Sequence, residues 1–351
     1  MNNVVSVSIA ITASAITIGT APVYATNANL DFSQMFVFGD SLLDTGNAFS
    51  LTGGLAPDSR YFDGRFSNGP IWIDFLASSL DLDPTAFSTG TVFPDGANYA
   101  IGGARSDNSN SINPLLRGLE QQLENFIDPL LAADQSANSD ALYTLWVGAN
   151  DYLSGTSPNP DTTVNNITDG IEALYNLGAR NFLIPNLPSL GSTPLATFID
   201  ISDTLNQLTN EHNQRLELAI AELDQSLSGA NITLLDVNSI LDEIIENPSQ
   251  FGFTNVTDSW SNTVSTFFCP DFFLGANGSV ESCNVDFPDP DEYLFWDPIH
   301  PTTVAHEIIG NEALYALKSE YSQTVPEPTS TLSFLGLGVS LLGISAFKRK
   351  V

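Results

Sequence analysis

A serine that directly follows an apolar run is the first candidate for chemistry in this chain. Ser41 stands in the sequence Gly-Asp-Ser-Leu, just after the apolar run Met35–Phe38. The run predicts a buried strand, which would place Ser41 at the carboxyl end of that strand. Serines in such places often only cap or turn the chain, and a serine hydroxyl becomes a nucleophile only beside a base. The base must be found elsewhere in the sequence.

Three histidines are available to act as that base. His212 and His306 both fall within helical periods, on or next to the apolar side, which is typical of packed histidines. His300 instead lies in the loop from Asp297 to Pro301, and Pro301 suits the first turn of a following helix. An aspartate three residues before a histidine can accept the ring N–H and leave the other nitrogen free for catalysis. The alternative is that Asp297 merely caps the helix.

Two further segments carry groups that could stabilise an oxyanion. The segment 98–103 ends in Gly102 and Gly103, where the backbone can approach a ligand closely. Asn150 follows another apolar run. The Ser41 N–H, a glycine N–H and the Asn150 amide would together suit the tetrahedral intermediate of ester cleavage. Each signal alone is weak, because Gly-Gly and Asn are common in turns.

The elements that must position these residues alternate between short apolar runs and amphipathic helical periods. The longest helical period runs from Leu205 to Leu227. Such alternation predicts an α/β fold whose mainly parallel sheet is covered by helices on both faces, with sites at the carboxyl ends of strands. The predicted strands are Met35–Phe38, Tyr143–Val147, Asn181–Ile184 and Ile232–Val237, with 98–101 as a further candidate.

Taken in order, these segments resemble the four sequence blocks of the GDSL (SGNH) hydrolases. Gly-Asp-Ser-Leu at 39–42 matches the first block, and 98–103 matches the family's Asn-x-Ala-x-Gly-Gly. Gly-Ala-Asn-Asp at 148–151 matches the third block, and the Asp-x-x-His at 297–300 matches the fourth. The resemblance extends over about residues 33–320 and is strongest to the secreted plant-lipase and bacterial-haemolysin branch.

The resemblance implies a flavodoxin-like three-layer α/β/α domain and a serine hydrolase of carboxylic esters that needs no metal or cofactor. The implied catalytic residues are Ser41, Asp297 and His300, and the implied oxyanion hole is formed by Ser41, Gly103 and Asn150. Gly102 is the alternative glycine donor. Water would hydrolyse an acyl-enzyme formed on Ser41.

The expected substrate is an acyl ester, with a lipid or short-chain ester as first choice and a polysaccharide O-acetyl group as second. A non-catalytic surface protein that binds glycans or mediates adhesion is the rival from another class, and the complete set of site residues disfavours it. An aromatic-rich stretch could line an apolar site or simply pack. It contains Trp260, Phe267, Phe268, Phe272 and Phe273.

The charge balance excludes several kinds of partner. The chain has 41 acidic and 10 basic residues and a net charge of −31. Binding to phosphates requires clustered lysine or arginine, so neither nucleic acid nor an anionic membrane surface is an expected partner. Hydrophobic residues make up 42% of the chain, enough for a packed core.

The N-terminus predicts export. Residues 1–25 form an uncharged apolar run that ends in Ala-Pro-Val-Tyr-Ala, which is typical of a secretory signal, although no lysine or arginine precedes the run. Cys269 and Cys283 are the only two cysteines. Export favours a disulfide between them, and two cysteines alone do not complete a metal site.

The C-terminus carries a second predicted localisation signal. Pro-Glu-Pro at 326–328 precedes an apolar run, 329–347, and a basic tail, and the run has about the minimum length of a membrane-spanning helix. This combination resembles the bacterial PEP-CTERM sorting signal, which implies cleavage by a membrane-bound sorting protease of the exosortase type. A plain C-terminal anchor is the alternative. Either would place a hydrolase domain, 26–322, outside the cytoplasm, with membrane contact only through 323–351.

Overall fold

The structure is a computed structural model that describes four stretches of the chain: residues 30–90, 94–154, 158–265 and 288–324. The predicted secretory signal, both cysteines and the predicted sorting segment beyond Thr324 lie outside these stretches, as do the four phenylalanines of the aromatic-rich stretch. None of the helices in the described stretches is both long enough and apolar enough to cross a membrane.

A parallel sheet of six strands forms the centre of the protein. The strands are β1 (Met35–Gly39), β2 (Thr85–Ala86), β3 (Gly96–Asn98), β4 (Leu142–Trp146), β5 (Asn181–Pro185) and β6 (Asn231–Leu235). Their order across the sheet is β2-β3-β1-β4-β5-β6. The four main predicted strands are therefore confirmed, and they are mainly apolar because helices cover the sheet on both sides.

Two strand predictions differ from the structure by more than one residue at an end. The candidate 98–101 is assigned as a strand only up to Asn98, although the N–H groups of Tyr99 and Ile101 continue to donate to the β1 carbonyls. The prediction that the last strand reaches Val237 is wrong. Asp236 accepts the N–H of Ser239 at 3.1 Å and so begins a helix at Val237.

Ten α-helices are assigned in the described stretches. They are α1 (Asn47–Leu51), α2 (Trp72–Ser79), α3 (Leu119–Ala132), α4 (Ala149–Leu153), α5 (Pro160–Leu177), α6 (Pro194–Phe198), α7 (Ser202–Ser226), α8 (Val237–Glu246), α9 (Trp260–Ser265) and α10 (Thr303–Thr324). A small two-stranded parallel sheet pairs β7 (Asn255–Ser259) with β8 (Tyr293–Phe295).

The two faces of the sheet carry separate cores, as the alternation of side chains along β1 shows. Met35 and Val37 face a cluster that includes Trp72 of α2, whereas Phe38 faces a cluster that includes Leu123 of α3 and Ile171 of α5. The predicted three-layer α/β/α fold is thus confirmed.

The strand order also determines where a site forms. Apart from the short edge strand β2, the order is that of flavodoxin-like folds, in which the winding reverses beside the first strand. Here the reversal lies between β1 and β4, where Gly39 is in register with Trp146. The segments that follow these strands carry Ser41 and Asn150, so the fold brings two predicted site residues to one crevice.

Candidate active site

Ser41, His300 and Asp297 form a continuous hydrogen-bonded row at the carboxyl end of β1. The Ser41 Oγ atom lies 2.8 Å from His300 Nε2, and His300 Nδ1 lies 2.6 Å from Asp297 Oδ2. With the proton on Nδ1, the histidine donates to the carboxylate and accepts the serine hydroxyl. All three residues are buried. This arrangement can remove the serine proton as the hydroxyl attacks an electrophile.

A tight turn after β8 presents the acid and the base. The Trp296 N–H donates to the His300 carbonyl at 2.8 Å, and Phe295 and Pro301 form an antiparallel bridge. The Asp297 Oδ1 atom accepts the N–H groups of Ile299 and His300, at 2.8 and 2.7 Å. Asp297 therefore caps its own turn while it orients the histidine.

The prediction that Pro301 opens the following helix is wrong. The helix α10 begins at Thr303. The Pro301 carbonyl instead accepts the hydroxyl of Ser67 at 2.9 Å, and the Thr303 N–H donates to Asn68 Oδ1 at 2.8 Å. The loop before α2 thus closes the turn that carries the histidine.

Tyr61 is a member of the site that sequence reasoning missed. Its hydroxyl donates to Asp297 Oδ2 at 2.6 Å. Burial alone would raise the pKa of Asp297, but the facing His300 and these donors together hold that pKa below its usual value. Burial and the Asp297 carboxylate raise the pKa of Tyr61, so the phenol keeps its proton and remains a donor. No motif marks Tyr61, because it meets Asp297 across 236 positions of sequence.

Trp260 packs against the part of the site that contains Trp296 and Tyr61. Its ring stacks on the Trp296 ring with 4.7 Å between ring centroids. The Trp296 ring in turn meets the Tyr61 ring edge-on, with 6.3 Å between centroids. The Trp260 indole N–H donates to the Pro288 carbonyl at 2.7 Å. This tryptophan, the one described member of the aromatic-rich stretch, is therefore packed in the protein interior.

The candidate oxyanion donors differ in what their N–H groups already bind. The Gly102 N–H donates to Asp44 Oδ2 at 2.7 Å. Within the described stretches the N–H groups of Gly103 and Ser41 have no acceptor, and Gly103 has a φ of +79°. The Asn150 amide donates to the Ala104 carbonyl at 3.1 Å. Of the two glycines, Gly103 is the one whose N–H is available to a ligand.

Asp40 adds a second carboxyl group to the site. Its Oδ1 accepts the Leu42 N–H at 3.0 Å, which folds the chain tightly around Ser41, and its Oδ2 lies 3.4 Å from Asn150 Nδ2. Burial raises the pKa of Asp40 to about 7, even though these donors and His300 act in the opposite direction.

A mainly apolar cavity of about 50 Å³ opens beside Ser41 and His300. Because a site of about 10–15 Å³ holds one water, this volume has room for an acyl chain of only a few carbon atoms. Its apolar wall includes Leu153, Val237, Leu241, Ile245, Ile299 and Ile309. Such a wall suits a hydrocarbon group attached to the carbonyl that Ser41 would attack.

The other two histidines are packed residues, as predicted. The His212 Nδ1 atom lies 2.9 Å from the Tyr152 hydroxyl, and burial lowers the pKa of His212 to about 3. His306 is fully buried, and burial lowers its pKa to about 3 as well. Among the residues described, no group of three or more His, Cys, Asp or Glu side chains is placed to hold a metal ion.

The family model for GDSL-like lipases and acylhydrolases matches residues 35–313. The chain belongs to this family. The chain is 29% identical over 334 residues to the phosphatidylcholine-sterol acyltransferase of Aeromonas hydrophila, a match that covers 85% of this chain and 94% of the relative. It is 31% identical over 351 residues to the GDSL esterase/lipase ENOD8 of Medicago truncatula, with 84% and 89% covered.

Among solved structures, the chain is similar to a lipolytic G-D-S-L family protein from Veillonella parvula. The TM-score is 0.43 and the sequence identity 16%, and the match covers 80% of this chain and 96% of the other. Family membership identifies the protein as an ester-hydrolysing serine hydrolase.

Proposed function

We propose that the protein cleaves carboxylic esters with Ser41 as nucleophile, His300 as general base and Asp297 as the residue that orients the base. The observation that carries this proposal is the unbroken row of short contacts, 2.8 Å from Ser41 to His300 and 2.6 Å from His300 to Asp297. Nothing else in the described stretches combines a nucleophile, a base and an orienting carboxylate in this way.

In the first half of the reaction, His300 Nε2 takes the proton from Ser41 as Oγ bonds to the ester carbonyl carbon. The collapse of the tetrahedral intermediate expels the alcohol, which takes the same proton from His300. In the second half, water gives a proton to His300 and attacks the acyl-enzyme, which releases the acid and restores Ser41. Asp297 stays ionised throughout, because its donors and His300 lower its pKa.

The proposed oxyanion donors are the N–H groups of Ser41 and Gly103 and the side-chain amide of Asn150. Gly103 is preferred to Gly102 because the Gly102 N–H already donates to Asp44. Preorganised donors of this kind stabilise charge that develops only in the transition state, and they therefore accelerate the chemical step rather than substrate binding.

The proposed substrate is an ester whose acyl group enters the apolar cavity. A short-chain acyl ester fits the apolar cavity, and the name of the Aeromonas relative points also to lipid esters, whose longer acyl chains would extend beyond it. A polysaccharide O-acetyl ester is the second candidate, because a cavity of about 50 Å³ accommodates an acetyl group.

The proposed setting of the reaction is outside the cytoplasm. We propose that residues 1–25 direct export, that Cys269 and Cys283 form a disulfide after export, and that a sorting protease of the exosortase type recognises 323–351. These proposals are supported by sequence pattern. Mass spectrometry of the exported protein would test them, since it reports both ends of the mature chain and the state of the cysteines.

The full chain, purified in a mild detergent, is assayed with p-nitrophenyl esters from acetate to palmitate beside a Ser41→Ala variant. We expect turnover that is lost in the variant and that is highest for short acyl chains. Turnover that survives in the variant would refute the role of Ser41. A well-folded native protein that cleaves none of these esters is tested next on acetylated polysaccharide. Inactivity there as well would favour a glycan-binding protein.

A further inference from the structure

Asp44 is a fully buried carboxylate that the reaction described above does not use. Four backbone N–H groups point at it. Gly46 and Asn47 donate to Oδ1 at 2.8 and 2.6 Å, and Ala48 and Gly102 donate to Oδ2 at 3.0 and 2.7 Å. Three of these donors belong to the start of α1, whereas Gly102 comes from the loop that follows β3. One side chain therefore joins the loop between β1 and α1, which carries Ser41 (the nucleophile loop), to the loop that follows β3, which carries Gly102 and Gly103 (the glycine loop).

Two buried asparagines hold the same pair of loops together from either side. The Asn47 amide donates to the carbonyls of Asn98 and Ala100, at 2.8 and 2.9 Å. The Asn98 amide donates in the opposite direction, to the Leu43 carbonyl at 2.7 Å. Buried polar networks of this kind, with every member satisfied, rigidify the segments that they connect.

The glycine loop is closely packed at both of its glycines. A Cβ atom at Gly102 would lie 2.3 Å from the ring of Phe66, and one at Gly103 would lie 2.7 Å from Ile112. Neither glycine can therefore carry a side chain without a shift of its neighbours, and the Gly102 N–H is held by Asp44. The Gly103 N–H belongs to the next peptide of this packed loop.

We propose that Asp44 is a positioning residue for ester hydrolysis, which holds the Gly102 N–H so that the Gly103 N–H points at the oxyanion. The proposal rests on the proposed function of this site. Donors accelerate the reaction only if they already point to the place where charge will develop, so the loss of the anchor at Gly102 should weaken a donor one residue away.

The test replaces Asp44 by asparagine, Asp44→Asn, in the full chain. One carboxylate oxygen becomes an NH₂ group, so one of the pairs of N–H donors loses its acceptor. We expect kcat to fall about 10- to 100-fold with KM nearly unchanged, because a donor displaced by about 1 Å loses that much catalysis.

A sulfur-for-oxygen comparison separates positioning from general damage to the fold. Each protein is assayed with a p-nitrophenyl ester and with the matched thionoester, whose developing charge sits on a sulfur that accepts hydrogen bonds only weakly. We expect the ratio of the ester rate to the thionoester rate to fall in Asp44→Asn, as it should when the Asn150 donor is removed. An unchanged ratio both in Asp44→Asn and in Asp44→Ala, which leaves the Gly102 N–H with no side-chain acceptor at position 44, would overturn the proposal, whatever happens to kcat.

The matched control is Asn181→Ala. Asn181 is also buried and makes several hydrogen bonds, to the carbonyls of Ser139 and Ala141 and from the Tyr321 hydroxyl, but it lies at the start of β5, whereas the site lies at the carboxyl ends of the strands. We expect this variant to lose stability without any change in the rate ratio. An equal fall in both variants would show that the ratio reports damage to the fold.

Hydrogen exchange in the native protein provides a test that needs no variant of Asp44. We expect the Gly102 amide to exchange more slowly than the Gly103 amide, and the Gly103 amide to become protected once a phosphonate is attached to Ser41. Equal exchange at the two amides would overturn the proposal. If the native protein cleaves no ester, the proposed function itself is refuted. If the native protein is active but the ratio of ester rate to thionoester rate is unchanged in the Asp44 variants, only the role of Asp44 is refuted.

Discussion

Replacing Asn150 by alanine removes the side-chain amide assigned to the oxyanion hole and leaves the row from Ser41 to Asp297 in place. In the free protein the amide makes three contacts. It donates to the Ala104 carbonyl at 3.1 Å and more loosely to Asp40 at 3.4 Å, and its oxygen accepts the Ser111 hydroxyl at 3.0 Å. The substitution therefore acts on the stability of the neighbouring loop as well as on catalysis.

The two effects differ in size and in the measurement that reports them. Loss of the Ala104 and Ser111 contacts should lower the free energy of unfolding by about 1–3 kcal/mol, at about 0.5–1.5 kcal/mol for each hydrogen bond. Loss of an oxyanion donor should lower kcat about 100- to 1000-fold, or about 2.7–4 kcal/mol in the activation barrier. Because kcat is measured per folded active site, the stability loss does not reduce it in a protein that remains folded.

The assay compares Asn150→Ala with Ser111→Ala. The serine variant also frees the loop, since the Ser111 hydroxyl contacts Asn150 and the Gly103 carbonyl, but it keeps the Asn150 amide. Urea unfolding gives the stability of both variants, and steady-state hydrolysis of p-nitrophenyl butyrate gives kcat and KM. We expect similar stability losses but a much larger loss of kcat in the Asn150 variant.

Two results would refute this reasoning. If kcat of Asn150→Ala stays within about tenfold of the native value, the amide is a structural group and not an oxyanion donor. If both variants lose kcat equally, the loss arises from the freed loop. In either case the oxyanion would rest on the backbone donors alone.

Three further predictions follow from the site and its surroundings. The Tyr61→Phe variant should lose about 1.5–3 kcal/mol of stability in urea unfolding, because the buried Asp297 carboxylate loses a hydrogen-bond donor. A loss below about 0.5 kcal/mol would contradict the 2.6 Å contact between the Tyr61 hydroxyl and Asp297 Oδ2. The Leu241→Ala variant should extend the cavity and shift the highest kcat/KM toward longer p-nitrophenyl esters, whereas an unchanged profile would place the acyl chain elsewhere. Burial lowers the pKa of His306 to about 3, so on acidification the unfolded chain binds the proton before the native protein does. The free energy of unfolding should therefore fall by about 1.4 kcal/mol per pH unit at this residue as the pH falls from about 6.5 toward 3. The His306→Leu variant should lack that contribution, and a stability difference from the native protein that is the same at pH 7 and pH 5 would be inconsistent with a neutral buried histidine.

The sequence alone was sufficient to predict the fold and to name three candidate site residues that the structure brings into contact, Ser41, His300 and Asp297. Strands buried on both faces leave continuous apolar runs, and helices between them leave a helical period, so the order of strands and helices can be read from the pattern. Ser41 follows the first strand directly, and His300 is the only histidine outside a helical period. These positions are defined by residues adjacent in the chain, so they can be predicted from the sequence.

The contacts that tune the site were decided by the tertiary structure. Tyr61 meets Asp297 across 236 positions, and Asp44 meets Gly102 across 58. No local pattern identifies such partners, because their proximity depends on how the chain returns across the sheet. The choice of Gly103 over Gly102 has the same origin, since it depends on which N–H is already bound. In this protein, patterns near in sequence predict which groups could react, and only the packing of distant segments decides how those groups are oriented and charged.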